Sequence, residues 1–456
     1  MKSTISTCIT ALAVFAALAA PISLGAQDQQ EHHKKQTHYL VKDLGTLGGS
    51  GGAGATAEAI SDNGWVVGTS DLAGDTTVHS FLWRDGEMTD LGTLGGLNSD
   101  ERGVAISDKR GLIAGSAQTS AVDPLGENWG ATAFSCNNNG PCDGYQNIVR
   151  GFVWQNGVMT ALPTLGGNNA LAFGINDHGQ VVGEAENSVH NPECVPPQVL
   201  DFEAVFWAPE GESGEINIHH LPPLAGDTDG LAGEINDRGQ VIGVSGPCSQ
   251  SVTHAVLWDH DTVTDMGNLG GNCCNLPFDI NSRGQVVGAS STTGNTLFSV
   301  HAFLWQKGGA MTDLGVSPGD IASVGFGIND REQVVGFSFD QNISARAFIW
   351  QDGVMTDLNS LVKPGSTPLF LVFGNDINSQ GEITAYAFNP TTGEFRAALA
   401  IPCDEQHADN EGCEAGAEGT SAARAETSQN LKFVVPENVR KLVRQRLGIG
   451  RFGAPR

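Results

Sequence analysis

A chain of 456 residues with 51 Asp and Glu against 24 Lys and Arg carries a formal net charge of −27. It lacks the broad basic face that a phosphate backbone requires, which excludes free nucleic acid as a partner. Sixty glycines and only 16% charged residues leave many turns and few long charged helices, so the composition predicts an all-β chain.

Residues 1–26, MKSTISTCITALAVFAALAAPISLGA, combine Lys2, an apolar run from Cys8 to Ala20 and small residues before Gln27. This is the layout of a cleavable secretory signal, and the run is shorter than the roughly 20 residues of a spanning helix. A secreted protein, extracellular or periplasmic, is therefore expected, with a short segment 27–37 ahead of the first strand signal and no transmembrane segment after cleavage. Eight cysteines remain: Cys136, Cys142, Cys194, Cys248, Cys273, Cys274, Cys403 and Cys413. An even count in an exported chain predicts disulfides. The connectivity stays open, although Cys136 with Cys142 and Cys403 with Cys413 are close enough to bridge locally.

HYLVKDLGTLGG (38–49) opens the folded region, and a nine-residue motif then recurs. INDHGQVVG (175–183), INDRGQVIG (235–243), INSRGQVVG (280–288) and INDREQVVG (328–336) are near-copies, and worn versions begin at Ile60, Ile106 and Ile377. The seven anchors are spaced by 46, 69, 60, 45, 48 and 49 residues, which defines a modular repeat of just under fifty. Each unit carries four strand signals: a small-residue run ending in Ile, a QVVG-like run after an Asn/Asp/Gly turn, a run such as HAFLW (301–305), and VMTDLG or a relative closed by a glycine loop.

In HAFLW both sets of alternating side chains are fit for burial, so each sheet should be covered on both faces. Four-stranded sheets covered by their neighbours are the blades of a β-propeller over residues 38–403. Residues 38–49 supply a fourth strand with no first three, and the last unit supplies three strands with no fourth. Their pairing closes a ring of seven four-stranded blades.

Residues 404–430 turn to Glu, Ala, Gly and Ser, a linker composition. PENVRKLVRQRL (436–447) then sets Val439, Leu442, Val443 and Leu447 on one helical stripe, and 432–456 holds seven basic residues against Glu437 alone. This basic amphipathic tail, 431–456, is expected to fold back on the acidic ring or to touch an anionic envelope surface.

The pattern HAFLW, G-x-MTDLGTLGG and IN-x-x-GQVVG resembles the HAF family of bacterial extracellular repeat proteins over roughly residues 38–400. His301, Ala302 and Phe303 are the one literal copy of the naming tripeptide. The resemblance implies export and a repeat fold, and it brings no catalytic residues.

In an up-and-down blade, the loops from strand two to three and from strand four to the next blade lie on one rim. All the length variation falls there: 118–149, 186–202 and 246–253, with six of the cysteines. Long loops on a rigid scaffold are usual binding surfaces. The expected function is therefore a secreted binding or scaffold protein whose variable rim takes an extracellular carbohydrate or protein.

Glu234, Asp279 and Asp376 precede the anchor Ile where other units carry Ala59, Ala105, Gly174 and Gly327. They are expected near the axis, where adjacent-blade Glu234 and Asp279 could bind Ca²⁺ through oxygen ligands or carry out acid/base work. That would be the basis of an alternative reading, a secreted hydrolase or lyase; a structural envelope protein is another. No cofactor other than Ca²⁺ is indicated. His219 and His220 are adjacent on a strand and should point apart, which argues against a shared metal site.

Overall fold

The computed structural model describes residues 37–49, 54–99, 103–129, 146–210, 215–248, 253–260, 262–271, 275–293, 297–404, 407 and 413. Expectations for the signal sequence, the linker, the basic tail and Cys136, Cys142, Cys273 and Cys274 fall outside them. The described residues form a seven-bladed β-propeller, each blade a four-stranded antiparallel sheet in simple order. No helix among them is long and apolar enough to cross a membrane.

The first strands are Ala55–Ile60, Val104–Ile106, Gly166–Ile175, Asp229–Ile235, Leu276–Ile280, Ala322–Ile328 and Phe370–Ile377. Each touches the next in cyclic order and the seventh meets the first, so they line the axis. Second strands such as Val66–Asp71 and Gln285–Ser291 are buried along their whole length, because both faces meet neighbouring blades. Fourth strands such as Glu87–Asp90 lie outermost and are mostly exposed. In the third strands, Phe81, Phe152, Phe303 and Phe348 are fully buried. Each contributes about 2–3 kcal/mol of hydrophobic stabilisation between blades.

Closure occurs in blade 7. The N-terminal strand Tyr39–Gly45 pairs antiparallel with Glu394–Pro402, matching Tyr39 to Pro402 and Val41 to Ala400. Both ends of the domain therefore lie in one sheet, with no open edge between the first and last blades.

The repeated nonapeptide has a local and a ring-wide role. The Asn281 Oδ1 accepts from the amides of Arg283 and Gln285, both at 3.0 Å, which shapes the tight turn between strands one and two. Its Nδ2 donates to Gln285 Oε1 at 2.9 Å and to the Asn329 carbonyl of the next blade at 3.2 Å. Asn176, Asn236, Asn329 and Asn378 repeat the inter-blade bond, the last reaching the Ser61 carbonyl and crossing the closure. In five blades one buried amide side chain thus satisfies a turn and a seam; blades 1 and 2 carry Ser61 and Ser107 at that position.

The glycine ending the motif is required by close approach. A Cβ on Gly68, Gly183, Gly243, Gly288 or Gly336 would overlap a first-strand carbonyl oxygen. Any side chain there would push strands one and two apart.

Candidate functional site

The three axial carboxylates follow a β-bulge. Register shifts fall between Ala232 and Glu234, Pro277 and Asp279, and Gly374 and Asp376. Such a bulge leaves the anchor amide outside the ladder, and the carboxylates supply its acceptor. Asp279 accepts from Ile280 N at 2.6 Å and, across the seam, from Ile328 N at 2.7 Å. Asp376 does the same with Ile377 N at 2.7 Å and Ile60 N at 2.9 Å. Glu234 accepts from Ile235 N at 2.9 Å and leans over Gly174, whose missing Cβ makes the room.

All three carboxylates are half-buried in the channel wall. Burial and then the charge of Asp279 raise Glu234 well above the usual carboxyl range. Burial and then Asp376 push Asp279 up to about 8, against the pull of its two amide bonds. Burial also pushes Asp376 up to about 6. Glu234 and Asp279 thus sense each other as expected from adjacent blades, but the bonds present are those of seam acceptors. A Ca²⁺ ion needs six to eight oxygen ligands; both oxygens of Asp279 and Asp376 already accept main-chain amides, so the donor set does not fit a cation cage.

The variable rim is built differently. In blade 2 the strands around the long loop are Ile113–Val122 and Asn147–Gln155; in blade 3 they are Val181–His190 and Leu200–Glu210. The blade 3 strands run further into the expected loop 186–202, leaving 191–199 as the connection. A disulfide joins Cys194 of that connection to Cys248, which follows the second strand of blade 4. Asp201 lies beside these sulfurs, but they are bonded to each other and offer no thiolate pair to a metal. The second disulfide, Cys403–Cys413, is the expected local one.

Exposed apolar side chains concentrate on the same rim. Among the described residues, Leu97, Val122, Leu125, Val189, Val195 and Phe298 lie there, six of the eight large hydrophobics left in solvent. The other two, Val158 and Val354, start fourth strands on the opposite rim. On the same side, Trp129 and Phe202 pack edge to face at 6.1 Å, both buried.

The opposite rim holds a cleft of about 620 Å³ between blades 3 and 4, walled in part by Phe206, Pro209, Leu221 and Val241. At the end of the third strand, Ala208 stands where other blades carry a longer polar residue, such as Asp259 or Gln351. Those residues take a hydrogen bond from the motif glutamine, Gln240 or Gln333; Ala208 cannot, and the gap stays open.

The adjacent histidines point apart. His219 stacks on Phe206 at 4.6 Å and reaches Glu210 at 2.8 Å, while His220 contacts Glu203 at 2.6 Å. The recurrent tryptophans serve blade packing: Trp207 and Trp258 are buried and donate to the carbonyls of Pro163 and Pro222 at 2.8 and 2.7 Å.

No protein-family model and no curated relative matches the sequence. Among solved structures, oligogalacturonate lyase from Vibrio parahaemolyticus aligns over 80% of this chain and 94% of its own, at 12% identity and a TM-score of 0.45. A polysaccharide lyase aligns over 80% and 98%, at 10% identity and a TM-score of 0.42. A lectin in complex with alpha methyl fucoside aligns over 69% and 98%, at 11% identity and a TM-score of 0.35. At these scores the likeness carries no ligand and no chemistry across.

Proposed function

We propose that this propeller is an exported binding module of the HAF-like type whose variable rim docks an extracellular protein. The observation that carries the reading is the gathering of exposed apolar side chains, long loops and an inter-blade disulfide on one rim, while the opposite rim is built from short repeated turns. Large apolar side chains left in solvent among long loops on one rim of a folded domain fit an interaction surface. Disulfides favour a compartment outside the cytoplasm. The exposed side chains are mostly aliphatic, with Phe298 the one aromatic. Sugar rings stack on aromatic faces, so a protein partner fits this rim better than a polysaccharide. The hydrolase or lyase reading, which rests on Glu234 with Asp279, has less support, because Asp279 already accepts amides on both oxygens, one of them across a blade seam, and Glu234 accepts from Ile235 N.

The test is thermal unfolding of the mature protein against a panel of extracellular proteins and polysaccharide fragments, beside a Val122→Glu/Val189→Glu/Val195→Glu variant. A ligand selective for the native state raises the apparent stability. A protein ligand that shifts the wild type and not the variant supports the reading. Equal shifts in both overturn the rim as the site, and a shift with a glycan alone overturns the partner class.

A further inference from the structure

We propose that two carboxyl pairs, the buried Glu127–Glu186 and the half-buried Asp201 with buried Asp229, are proton-held latches that lock the connections of blades 2, 3 and 4 together and release them as the pH rises. The inference concerns the rim's mechanics and does not depend on which ligand the rim takes.

The first pair joins blade 2 to blade 3. Glu127 belongs to the connection after the second strand of blade 2, and its Oε1 accepts from Val199 N and Leu200 N at 2.7 Å, in the connection of blade 3. Gln198 Nε2 donates both to this oxygen at 3.2 Å and to Glu186 Oε1 at 2.8 Å, which sets the two carboxyls around one amide. Glu186 Oε2 accepts from Asn168 N, Asn169 N and Asn169 Nδ2 at 2.8–3.1 Å. Both glutamates are fully buried. The remaining oxygen of Glu127 has no donor near it, and the two carboxyl groups lie within hydrogen-bonding reach of each other.

Two ionised carboxylates in that position repel with no water to screen them. One proton converts the contact into an O–H···O bond, the arrangement of coupled acid pairs. The surroundings do not remove the need for it. Arg150 is the cation facing Glu186; Asp123, tied in through Asn169 at 2.8 Å, and buried Glu184 on the same strand add further negative charge. Burial and then the Glu127 charge push Glu186 up to about 8.

The second pair joins blade 3 to blade 4. Asp229 is buried; its Oδ2 accepts from the Thr228 hydroxyl, and its Oδ1 has no donor. Asp201, held by Asn191 Nδ2 at 2.9 Å, lies within hydrogen-bonding reach of it, and the Cys248 amide also donates to Asp229. Burial and then the hydrogen bond with Asp201 push Asp229 up to about 7.

Because Glu186 and Asp229 keep a proton in the latched state that they lose when exposed, the latch is at full strength below the ordinary carboxyl range. It weakens as the pH climbs from there to about 8, where the latched pairs also ionise. The Cys194–Cys248 disulfide tethers the second seam whatever the pH, so the first should open further.

Hydrogen exchange of the mature protein at pH 5 and pH 8.5, corrected for intrinsic rates, tests this. The amides of Val199, Leu200, Asn168 and Asn169 are expected to exchange about tenfold faster or more at pH 8.5, while the Asn-motif turns keep their protection. Glu127→Gln retains the Oε1 acceptor and puts an NH₂ donor against Glu186 without a proton, so its protection should stay constant across the two pH values. Asp229→Asn tests the second seam by the same logic and stands in if Glu127→Gln does not fold. Equal wild-type protection at both pH values overturns the proposal. So does a Glu127→Gln protein that loosens as the wild type does. Loosening at pH 5 on adding EDTA also overturns it, because a cation and not a proton would then hold the carboxyls.

Discussion

The two rims hold the same seven blades together by opposite means. On the short-hairpin rim, five seams carry a bond between an amide side chain and a main-chain carbonyl, the same bond from Asn176 round to Asn378, beside turn aspartates that accept amides from the neighbouring blade. On the variable rim, blades 2 to 4 are joined by unlike devices: a disulfide, and carboxyl groups from loops far apart in sequence. An amide–carbonyl bond is indifferent to pH and redox state, whereas a carboxyl pair and a disulfide are not. The repeated Asn bonds are therefore a frame that pH leaves alone, the clamps of the variable rim are responsive, and this contrast can be broken by experiment.

The largest effect is expected from the variable rim. Cys194 and Cys248 are 54 residues apart, and constraining a loop of that length in the unfolded chain contributes on the order of 4 kcal/mol in the chain-entropy model. Cys194→Ser/Cys248→Ser should lower the thermal midpoint by several degrees, and the reduced wild type, which also loses Cys403–Cys413, should fall further. The 10-residue separation of Cys403 and Cys413 predicts a smaller loss, about 3 kcal/mol. A larger loss there would place the main clamp at the chain terminus instead of on the rim.

Next comes the frame. Gly243→Ala would drive a methyl into the Leu231 carbonyl, main-chain against main-chain, with no rotamer to relieve it. Denaturant unfolding should show a loss of about 3 kcal/mol, the upper end for overpacking. Asn281→Ala removes two donated and two accepted bonds and leaves the Asn329 carbonyl with the Glu332 amide as its donor. About 2 kcal/mol is expected, with no change between pH 5 and pH 8.5. A pH-dependent loss would mean that the frame, too, rests on ionisable groups.

The frame was legible in the sequence because its chemistry repeats. The anchors at Ile60 through Ile377 fix register, and the unmatched fourth strand at 38–49 announces the closure. Even so, the motif Asn looks like ordinary turn chemistry, and only the ring shows that it also ties each blade to the next. The axial carboxylates were visible by position, but their role as amide acceptors depends on the bulge, which follows no residue type. Least legible were Glu127 with Glu186 and Asp201 with Asp229. Each is a lone acid in a unique segment, and nothing short of the blade geometry brings 127 to 199 or 201 to 229. A weak signal existed in Ala208–Pro209, a third strand ending without the long polar residue of blades 1, 2, 4, 5 and 6, and it marks the cleft on the other rim.

The smallest effect sharpens the comparison most. Lys307 of blade 5 contacts Asp259 of blade 4 at 2.8 Å, a charge pair across a seam on the frame side. Hydrogen bonds from Lys307 first, then from His260, hold Asp259 down at about 2. A depressed acid lends stability above the ordinary carboxyl range and loses it only as the pH falls toward 2, the opposite direction to Glu186. Both partners are partly in solvent, so screening and side-chain entropy consume most of the Coulomb gain. Lys307→Ala should therefore cost no more than about 0.5 kcal/mol in denaturant unfolding, unchanged between pH 5 and pH 8.5 and smaller still in high salt. If it cost about 2 kcal/mol or more, charge would be a structural element of both rims, and the division between an inert frame and a responsive face would fail at the seam between blades 4 and 5.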